Sequence, residues 1–264
     1  MTTIYAPTPY LFTGAGNNFV VFDGREGGMD EYRQPERIQA LCREYRTDGL
    51  MILTEAPGQD FGMEFYNPDG SGGMMCGNGG RCIVAFADYL GLKPASEDGT
   101  WHFLAPDGPH AATILDRAPK WTVRLKMIDV KGISKAKNGY FLNTGTRHYV
   151  EFRDNVDAID IEPEAKPIRW ADEFQPEGTN VNFVEKTTEG LKVRTFEKGV
   201  EGETLACGTG ITASAIAAYV KGIAQSPVRL QCRRGDWLEV EFTPSGDGFK
   251  DVFLTGPAEL IEKR

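Results

Sequence analysis

Along the chain, apolar residues follow two different rhythms. Two segments are apolar at almost every position: Ile83, Val84, Ala85, Phe86, Ala87 and Leu90 in one, and Ile211, Ala213, Ala215, Ile216, Ala217, Ala218 and Val220 in the other. Segments of this kind, shorter than the roughly 18 apolar residues of a membrane span, predict helices buried on every side. Around them lie short β-branched or alternating runs at 18–22, 49–53, 63–66, 122–127, 148–152, 181–184, 191–196, 228–231 and 238–242. These are strand signals at hairpin-like intervals. Two outer helices are expected at 35–45 and 163–174, each with Pro near its first turn, where a missing N–H is tolerated. The fold class that follows is α+β, with mostly antiparallel sheets, each wrapped around one hydrophobic helix.

The two hydrophobic helices also begin alike. MMCGNGGRCIVAFADYLG, from residue 74 to 91, and LACGTGITASAIAAYVKG, from 205 to 222, match without a gap at Cys76 and Cys207, Gly77 and Gly208, Gly79 and Gly210, and Gly91 and Gly222. Asn18-Phe19-Val20 finds an echo in Asn182-Phe183-Val184. Self-similarity of this kind predicts two pseudo-symmetric domains. Asp116, Arg117 and Pro119 interrupt the strand pattern near Ala118-Pro119, placing the boundary there. The expected domains are 1–118, carrying Cys76 and joined by a C-terminal strand at 255–264, and 119–254, carrying Cys207.

Composition narrows the partners. The 264 residues include 29 Lys and Arg against 38 Asp and Glu, for a net charge of −9. With no basic tract, the chain is not expected to bind nucleic acid, and with no long apolar run it is not expected to enter a membrane. The five cysteines, Cys42, Cys76, Cys82, Cys207 and Cys232, are an odd number. The opening MTTIYAPTPYLF has no charged stretch followed by an apolar one. Both observations favour reduced thiols and a cytoplasmic location. Five residues separate Cys76 from Cys82 and no second pair completes a tetrahedral set, so no metal is expected.

A cysteine just before a helix sits where backbone N–H groups lack partners and the helix dipole is positive, which favours its thiolate. A carboxylate docked there would receive the first-turn N–H groups. Two such termini facing each other would grip one carboxylate and present a thiol to each face of its α-carbon. That arrangement suits racemisation or epimerisation, because the weakly acidic α-proton leaves only when the developing charge is delocalised onto a carboxylate met by donors. Cys42, Cys82 and Cys232 lack this context and are read as packing residues.

FTGAGNNFVVFD, FYNPDGSGGMMCGNGGRC, LAPDGPHAA, NTGTRHYVEF, GTNVNFVE and FEKGVEGETLACGTG together resemble the diaminopimelate epimerase family over essentially the whole chain. The resemblance implies interconversion of LL- and meso-diaminopimelate, without pyridoxal phosphate or any other cofactor, by Cys76 and Cys207 as the acid–base pair. It also implies a homodimer and a small zwitterionic amino acid as partner. Carried across residue by residue, it implies substrate binding by Asn17, Asn67, Gly77, Asn78, Asn180, Glu197, Lys198, Gly208 and Thr209. His148 and Glu197 are implied to tune thiol ionisation. For Asn67, ordinary turn chemistry is the competing reading; for Glu197 and Lys198 it is a solvated hairpin corner. Proline racemases, of a related fold, usually carry His at the position of Asn78, and the phenazine-biosynthesis type lacks the cysteine pair.

The chain departs from the family pattern at Asn18, where Asp is usual, at Thr146, where an Asn touches substrate, and at Lys198, where Arg is usual. The loop Glu44-Tyr45-Arg46-Thr47 is shorter than the usual Gly-rich form. Lysine is a point charge and does not reproduce a bidentate Arg clamp. Other readings of the same residues are an epimerase or racemase of another amino acid, such as proline or hydroxyproline, a thiol redox sensor, and an amino-acid-binding module.

Overall fold

The computed structural model describes residues 7–73 and 75–263. Residues 1–6, on which part of the leader reading rests, Met74 at the head of the first repeat and Arg264 at the end of the expected C-terminal strand lie outside the described residues. The chain divides into two units, Met1–Leu125 with Pro257–Arg264, and Lys126–Gly256.

The first unit runs β1 (Tyr10–Gly14), β2 (Asn17–Asp23), α1 (Pro35–Tyr45), β3 (Leu50–Thr54), β4 (Phe61–Tyr66), α2 (Gly77–Tyr89), β5 (Thr100–Ala105), β6 (Gly108–Asp116) and β7 (Trp121–Lys126). The seven strands are neighbours in sequence order. Ala118-Pro119 lies in the β6–β7 turn, and because β7 pairs with β6 it stays with this unit, so the division follows at Leu125. Two pairs are parallel, β2 with β3 and β4 with β5. A parallel pair needs a crossover, and α1 and α2 provide the two.

α1 buries Ile38, Leu41 and Cys42 against Val20, Phe22, Leu50 and Ile52. It ends at Arg46, a residue in left-handed conformation (φ 53°) that takes the C-cap place glycine commonly fills. α2 is buried continuously from Gly77 to Ala87 and packs on β1, β2, β3 and β6. Burying Ile83, Val84 and Phe86 contributes about 1.5–3 kcal/mol each. The exception on this helix is Arg81, a fully buried charge. Its guanidinium donates to Gly77 O at 3.2 Å, Asn78 Oδ1 at 2.7 Å and Pro257 O at 3.3 Å, which offsets the cost of desolvating it.

The second unit runs β8 (Ile133–Ala136), β9 (Gly139–Asn143), β10 (Arg147–Phe152), α3 (Ile161–Arg169), β11 (Asn180–Lys186), β12 (Leu191–Glu197), β13 (Gly202–Thr204), α4 (Gly208–Val220), β14 (Val228–Gln231), β15 (Trp237–Ser245) and β16 (Gly248–Lys263). Strand order is β8-β9-β10-β11-β12-β14-β15-β16, with the short β13 added to β12. Again two pairs are parallel, β10 with β11 across α3 and β12 with β14 across α4. The far end of β16 belongs to the first unit, where Glu259 to Lys263 pair with β1.

Both units therefore share one order of elements, to which the second adds β8 and β13, with parallel crossovers at the same two places. This corrects one detail of the repeat. Asn18-Phe19-Val20 lies on β2 and Asn182-Phe183-Val184 on β11, but by topology β2 corresponds to β10 and β11 to β3. The echo is a likeness of strand composition, whereas the Cys-Gly-X-Gly match falls on corresponding helices.

The outer helix expected at 163–174 is α3 at Ile161–Arg169 followed by a separate 3-10 turn at Asp172–Phe174. Ala171 between them is extended (ψ 141°), which breaks the helical hydrogen bonding. Pro163 still falls in the first turn. α4 is buried from Gly210 to Ala218, and its small side chains let β9, β10, β11, β12, β14 and β15 pack against it. Its two fully buried hydroxyls bond back one turn, Thr212 to Gly208 O at 2.9 Å and Ser214 to Gly210 O at 2.7 Å, so neither is left unsatisfied. Among the described residues, no helix is long and apolar enough to cross a membrane.

Candidate active site

In the first unit, Cys76 is the N-cap of α2, with extended backbone (φ −99°, ψ 149°). Its sulfur takes the role usually played by a Ser or Asp oxygen, accepting the Gly79 N–H at 3.2 Å. A donor aimed at sulfur and the positive end of the helix both favour the thiolate. Gly79 has no side chain for a direct reason: a β-carbon there would lie 3.2 Å from Cys76 Sγ and 3.4 Å from Met51 Sδ. The preceding residue is held by Asp107, in the LAPDG turn, which accepts the Met75 N–H at 3.3 Å.

A polarised chain leads from the core to Asn17. Arg81 can only donate, so Asn78 must turn its oxygen toward the guanidinium. Asn78 Nδ2 then donates to Asn17 Oδ1 at 2.7 Å. Asn17 is left with its Nδ2 as the remaining polar group, a donor suited to a carboxylate. Asn18 ties β2 to the loop after α1, its N–H donating to Asp48 Oδ2 at 2.8 Å and its carbonyl accepting from Asp48 N–H at 2.7 Å. Asn67 sits in a turn of its own, donating from Nδ2 to Ser71 Oγ at 3.0 Å and from its N–H to Ser71 O at 2.9 Å. Turn chemistry is thus present at Asn67.

In the second unit Cys207 caps α4 (φ −128°, ψ 108°) with no capping hydrogen bond from its side chain. Sγ instead lies 3.4 Å from Thr209 Oγ1. That hydroxyl is 2.9 Å from His148 Nε2 and 3.2 Å from Thr146 Oγ1. Asn180 Nδ2 donates to Thr146 Oγ1 and to Arg147 O, both at 3.1 Å, and Asn180 Oδ1 accepts the Lys198 N–H at 2.8 Å. Cys207, Thr209, His148, Thr146, Asn180 and the Lys198 backbone therefore form one network. His148 is fully buried, and burial pushes its pKa down to about 3. It is a neutral imidazole, reaching Cys207 through the Thr209 hydroxyl, so its influence on the thiol is one of hydrogen bonding and not of positive charge.

Glu197 ends β12, and burial pushes its carboxyl above the usual range, with Thr204 opposing the shift. The Lys198 ammonium donates to Glu177 O at 2.9 Å, and the Glu177 carboxylate in turn pairs with Arg147 at 2.6 Å. Gly77 and Gly208 are the first residues of α2 and α4. Cys42, Cys82 and Cys232 are buried, and burial pushes each thiol up. Such thiols remain protonated and inert.

Gly210 fits this network closely. A β-carbon there would fall 2.5 Å from Asn182 Oδ1 and 3.3 Å from both His148 Cε1 and Thr195 Oγ1. Gly210→Ala should cost about 1–3 kcal/mol of stability by overpacking. By displacing Thr209 it should also lower turnover by about 100-fold. Urea unfolding and a turnover assay on the same preparation check both, and wild-type values in the two would refute the packing argument.

Arg81 and Asn182 were not foreseen as site residues. The signal for Arg81 is a charge set directly against the apolar run that begins at Cys82. Asn182 gives less, a single amide in the run Val-Asn-Phe-Val.

The same fold occurs in solved structures of low sequence identity. A phenazine biosynthesis protein of the PhzF family from Bacillus anthracis matches with a TM-score of 0.74 at 12% identity, covering 98% of both chains. A probable proline racemase from Agrobacterium radiobacter matches with a TM-score of 0.69 at 16% identity, covering 98% of this chain and 92% of that one. At these identities the likeness is one of fold. Two proteins named diaminopimelate epimerase are nearer in sequence. The one from Flavobacterium psychrophilum is 40% identical over 96% of this chain and 97% of its own, and the one from Chlorobaculum tepidum 38% over 94% and 97%. The family profile described as diaminopimelate epimerase matches residues 10–127 and 140–261. The chain belongs to the diaminopimelate epimerase family.

Proposed function

We propose that the protein interconverts LL- and meso-diaminopimelate, as a step of lysine biosynthesis and peptidoglycan precursor supply, using Cys76 and Cys207 as two opposed bases. The observation that carries this reading is the placement of both cysteines as N-caps of corresponding buried helices, α2 and α4. One thiolate takes the α-proton. The electron pair left on carbon delocalises into the adjacent carboxylate, and the other thiol returns a proton from the opposite face. The carboxylate is met by first-turn N–H groups of Gly77, Asn78, Gly208 and Thr209, and Asn17 donates to it from Nδ2. Asn67, Asn180, Glu197 and Lys198 are assigned to the amino groups and the distal carboxylate, and His148 and Glu197 to the tuning of the thiols. No cofactor enters the scheme. The finer architecture in this reading is two pseudo-symmetric domains, each sheet wrapped around its own hydrophobic helix, in a cytoplasmic homodimer.

Incubation with LL- or meso-diaminopimelate in D₂O, under reducing conditions and without pyridoxal phosphate, should place deuterium at one α-carbon and equilibrate the two isomers. A substrate panel including proline and hydroxyproline should show exchange with diaminopimelate alone. Absence of exchange from fully reduced protein, or preference for an imino acid, would overturn the assignment. Turnover regained on adding reductant separates an epimerase from a redox sensor, which has none to regain.

A further inference from the structure

Asn182 lies within β11, fully buried, and every polar atom of its side chain is committed. Nδ2 is 2.9 Å from Tyr149 O and 3.1 Å from His148 Nδ1, while Oδ1 accepts from Thr195 Oγ1 at 2.9 Å. The Tyr149 carbonyl decides which end of the amide is which, since an oxygen placed there would face a second oxygen with no proton between them. The NH₂ group therefore donates to both Tyr149 O and His148 Nδ1. An Nδ1 that accepts carries no proton, so the single proton of the neutral imidazole is on Nε2.

The consequence passes outward to the sulfur. With Nε2 a donor, the Thr146 hydroxyl, which already accepts from Asn180 Nδ2, cannot donate to the ring and turns to Thr209 Oγ1 at 3.2 Å. Nε2 lies 2.9 Å from both Thr146 Oγ1 and Thr209 Oγ1, so its one N–H is shared between them, and Thr209 Oγ1 also accepts from Thr146 Oγ1. With donors facing it on both sides, the Thr209 hydroxyl turns its own hydrogen to Cys207 Sγ at 3.4 Å. In the opposite tautomer Nε2 would accept and draw the Thr209 hydrogen away from sulfur. The hydrogen-bond partners of His148 (Asn182, Thr146, Thr209 and Asn180) carry no charge, so the tautomer is set by this bonding pattern.

We propose that Asn182 is a positioning residue for the acid–base chemistry at Cys207: by holding His148 as the Nε2–H tautomer, it makes the Thr209 hydroxyl a donor to the Cys207 sulfur. The role in turnover rests on the two-cysteine reading above, but the tautomer does not, and the two can be tested apart. ¹⁵N shifts of histidine-labelled protein should show one of the three imidazoles as a neutral Nε2–H form, identified by its loss in His148→Gln. In Asn182→Leu that signal should move toward the Nδ1–H form or toward exchange between the two.

In the epimerisation assay, Asn182→Leu and Thr209→Val should each lower kcat about 10–100-fold with little change in KM. Both should move the acidic limb of the kcat profile to higher pH, because a thiolate deprived of a donor is less favoured. Thr209→Ser, which keeps the hydroxyl, should restore the limb. The threonine pair tests the outer end of the chain even if Asn182→Leu does not fold. An unchanged His148 tautomer in Asn182→Leu, or a wild-type pH limb in Thr209→Val, would overturn the proposal. Wild-type protein that holds the tautomer but never epimerises would instead overturn the reading of function.

Discussion

Cys76→Ala and Cys207→Ala should each lose diaminopimelate epimerisation by about 1,000-fold or more while keeping the wild-type circular dichroism spectrum. Both halves of that expectation follow from where the two residues sit. Each caps a buried helix from the outside, half-buried, and neither belongs to the apolar core. Alanine therefore removes an N-cap acceptor at Cys76, costing about 1 kcal/mol, and less at Cys207, whose side chain makes no capping hydrogen bond. The chemistry has no such tolerance. General acid–base catalysis by one positioned group contributes about 10²–10⁴-fold, and a two-base scheme uses both groups in each direction. The contrasting variants are Cys42→Ala and Cys82→Ala, which remove buried packing sulfur. These should cost stability and leave thiol chemistry to the two capping residues. Appreciable turnover from either capping-cysteine variant, measured with both stereoisomers, would remove that cysteine from the mechanism.

The second large effect concerns stability in acid. His148 has a folded pKa of about 3, against an ordinary value of 6.5. Between those values the unfolded chain binds a proton that the folded protein refuses. Stability attributable to this residue is fully present above about pH 6.5 and is lost progressively as the pH falls toward 3. At about pH 5 the loss amounts to about 2 kcal/mol. Urea midpoints across this range, compared between wild type and His148→Gln, isolate the effect, since the carboxylates that titrate at lower pH are common to both. The variant should show a flatter profile between about pH 5 and 7. Parallel profiles would mean that His148 is charged in the folded protein.

Much of the fold follows from local pattern. The helix expected at 35–45 has those bounds because Pro35 starts it and the apolar positions Ile38, Leu41 and Cys42 share one face. Both hydrophobic helices begin immediately after a cysteine because the glycines that follow permit close packing at the first turn. The β8–β9 hairpin gave no usable signal: three of the four β8 residues are Ser, Lys and Ala, and the strand is never fully buried. β1 is buried at all five positions and so lacks the alternation that marks a strand. Nor does periodicity distinguish parallel from antiparallel neighbours. That depends on which segments carry crossovers, as α1 to α4 do here.

The candidate site divides in the same way. Cys76 and Cys207 were legible because a cysteine before a glycine-rich helix start is a local feature, visible twice. The direction of hydrogen bonding was not legible. It arises across strands, where Arg81 fixes the orientation of Asn78 and Tyr149 O fixes that of Asn182. The burial that keeps His148 neutral depends on residues far apart in sequence. Thr146, which looks like the loss of an amide when compared with the family, is a working member of the network around Thr209.

The far end of β16 bears on the order in which the molecule is made. Tyr10 pairs with Lys263 and Thr13 with Glu259, so the first unit receives one of its strands only after the whole second unit has been synthesised. Closing that contact carries the loop entropy of everything between Thr13 and Glu259, and at about 5–20 residues per second it waits on the ribosome. The Pro257 carbonyl that receives Arg81 arrives with the same strand. A nascent chain that stops short leaves a buried cation in α2 without that acceptor, beside an unpaired β1 edge of the kind that recruits other chains. Residues made only after the second unit thus determine when the first unit ceases to be an aggregation hazard.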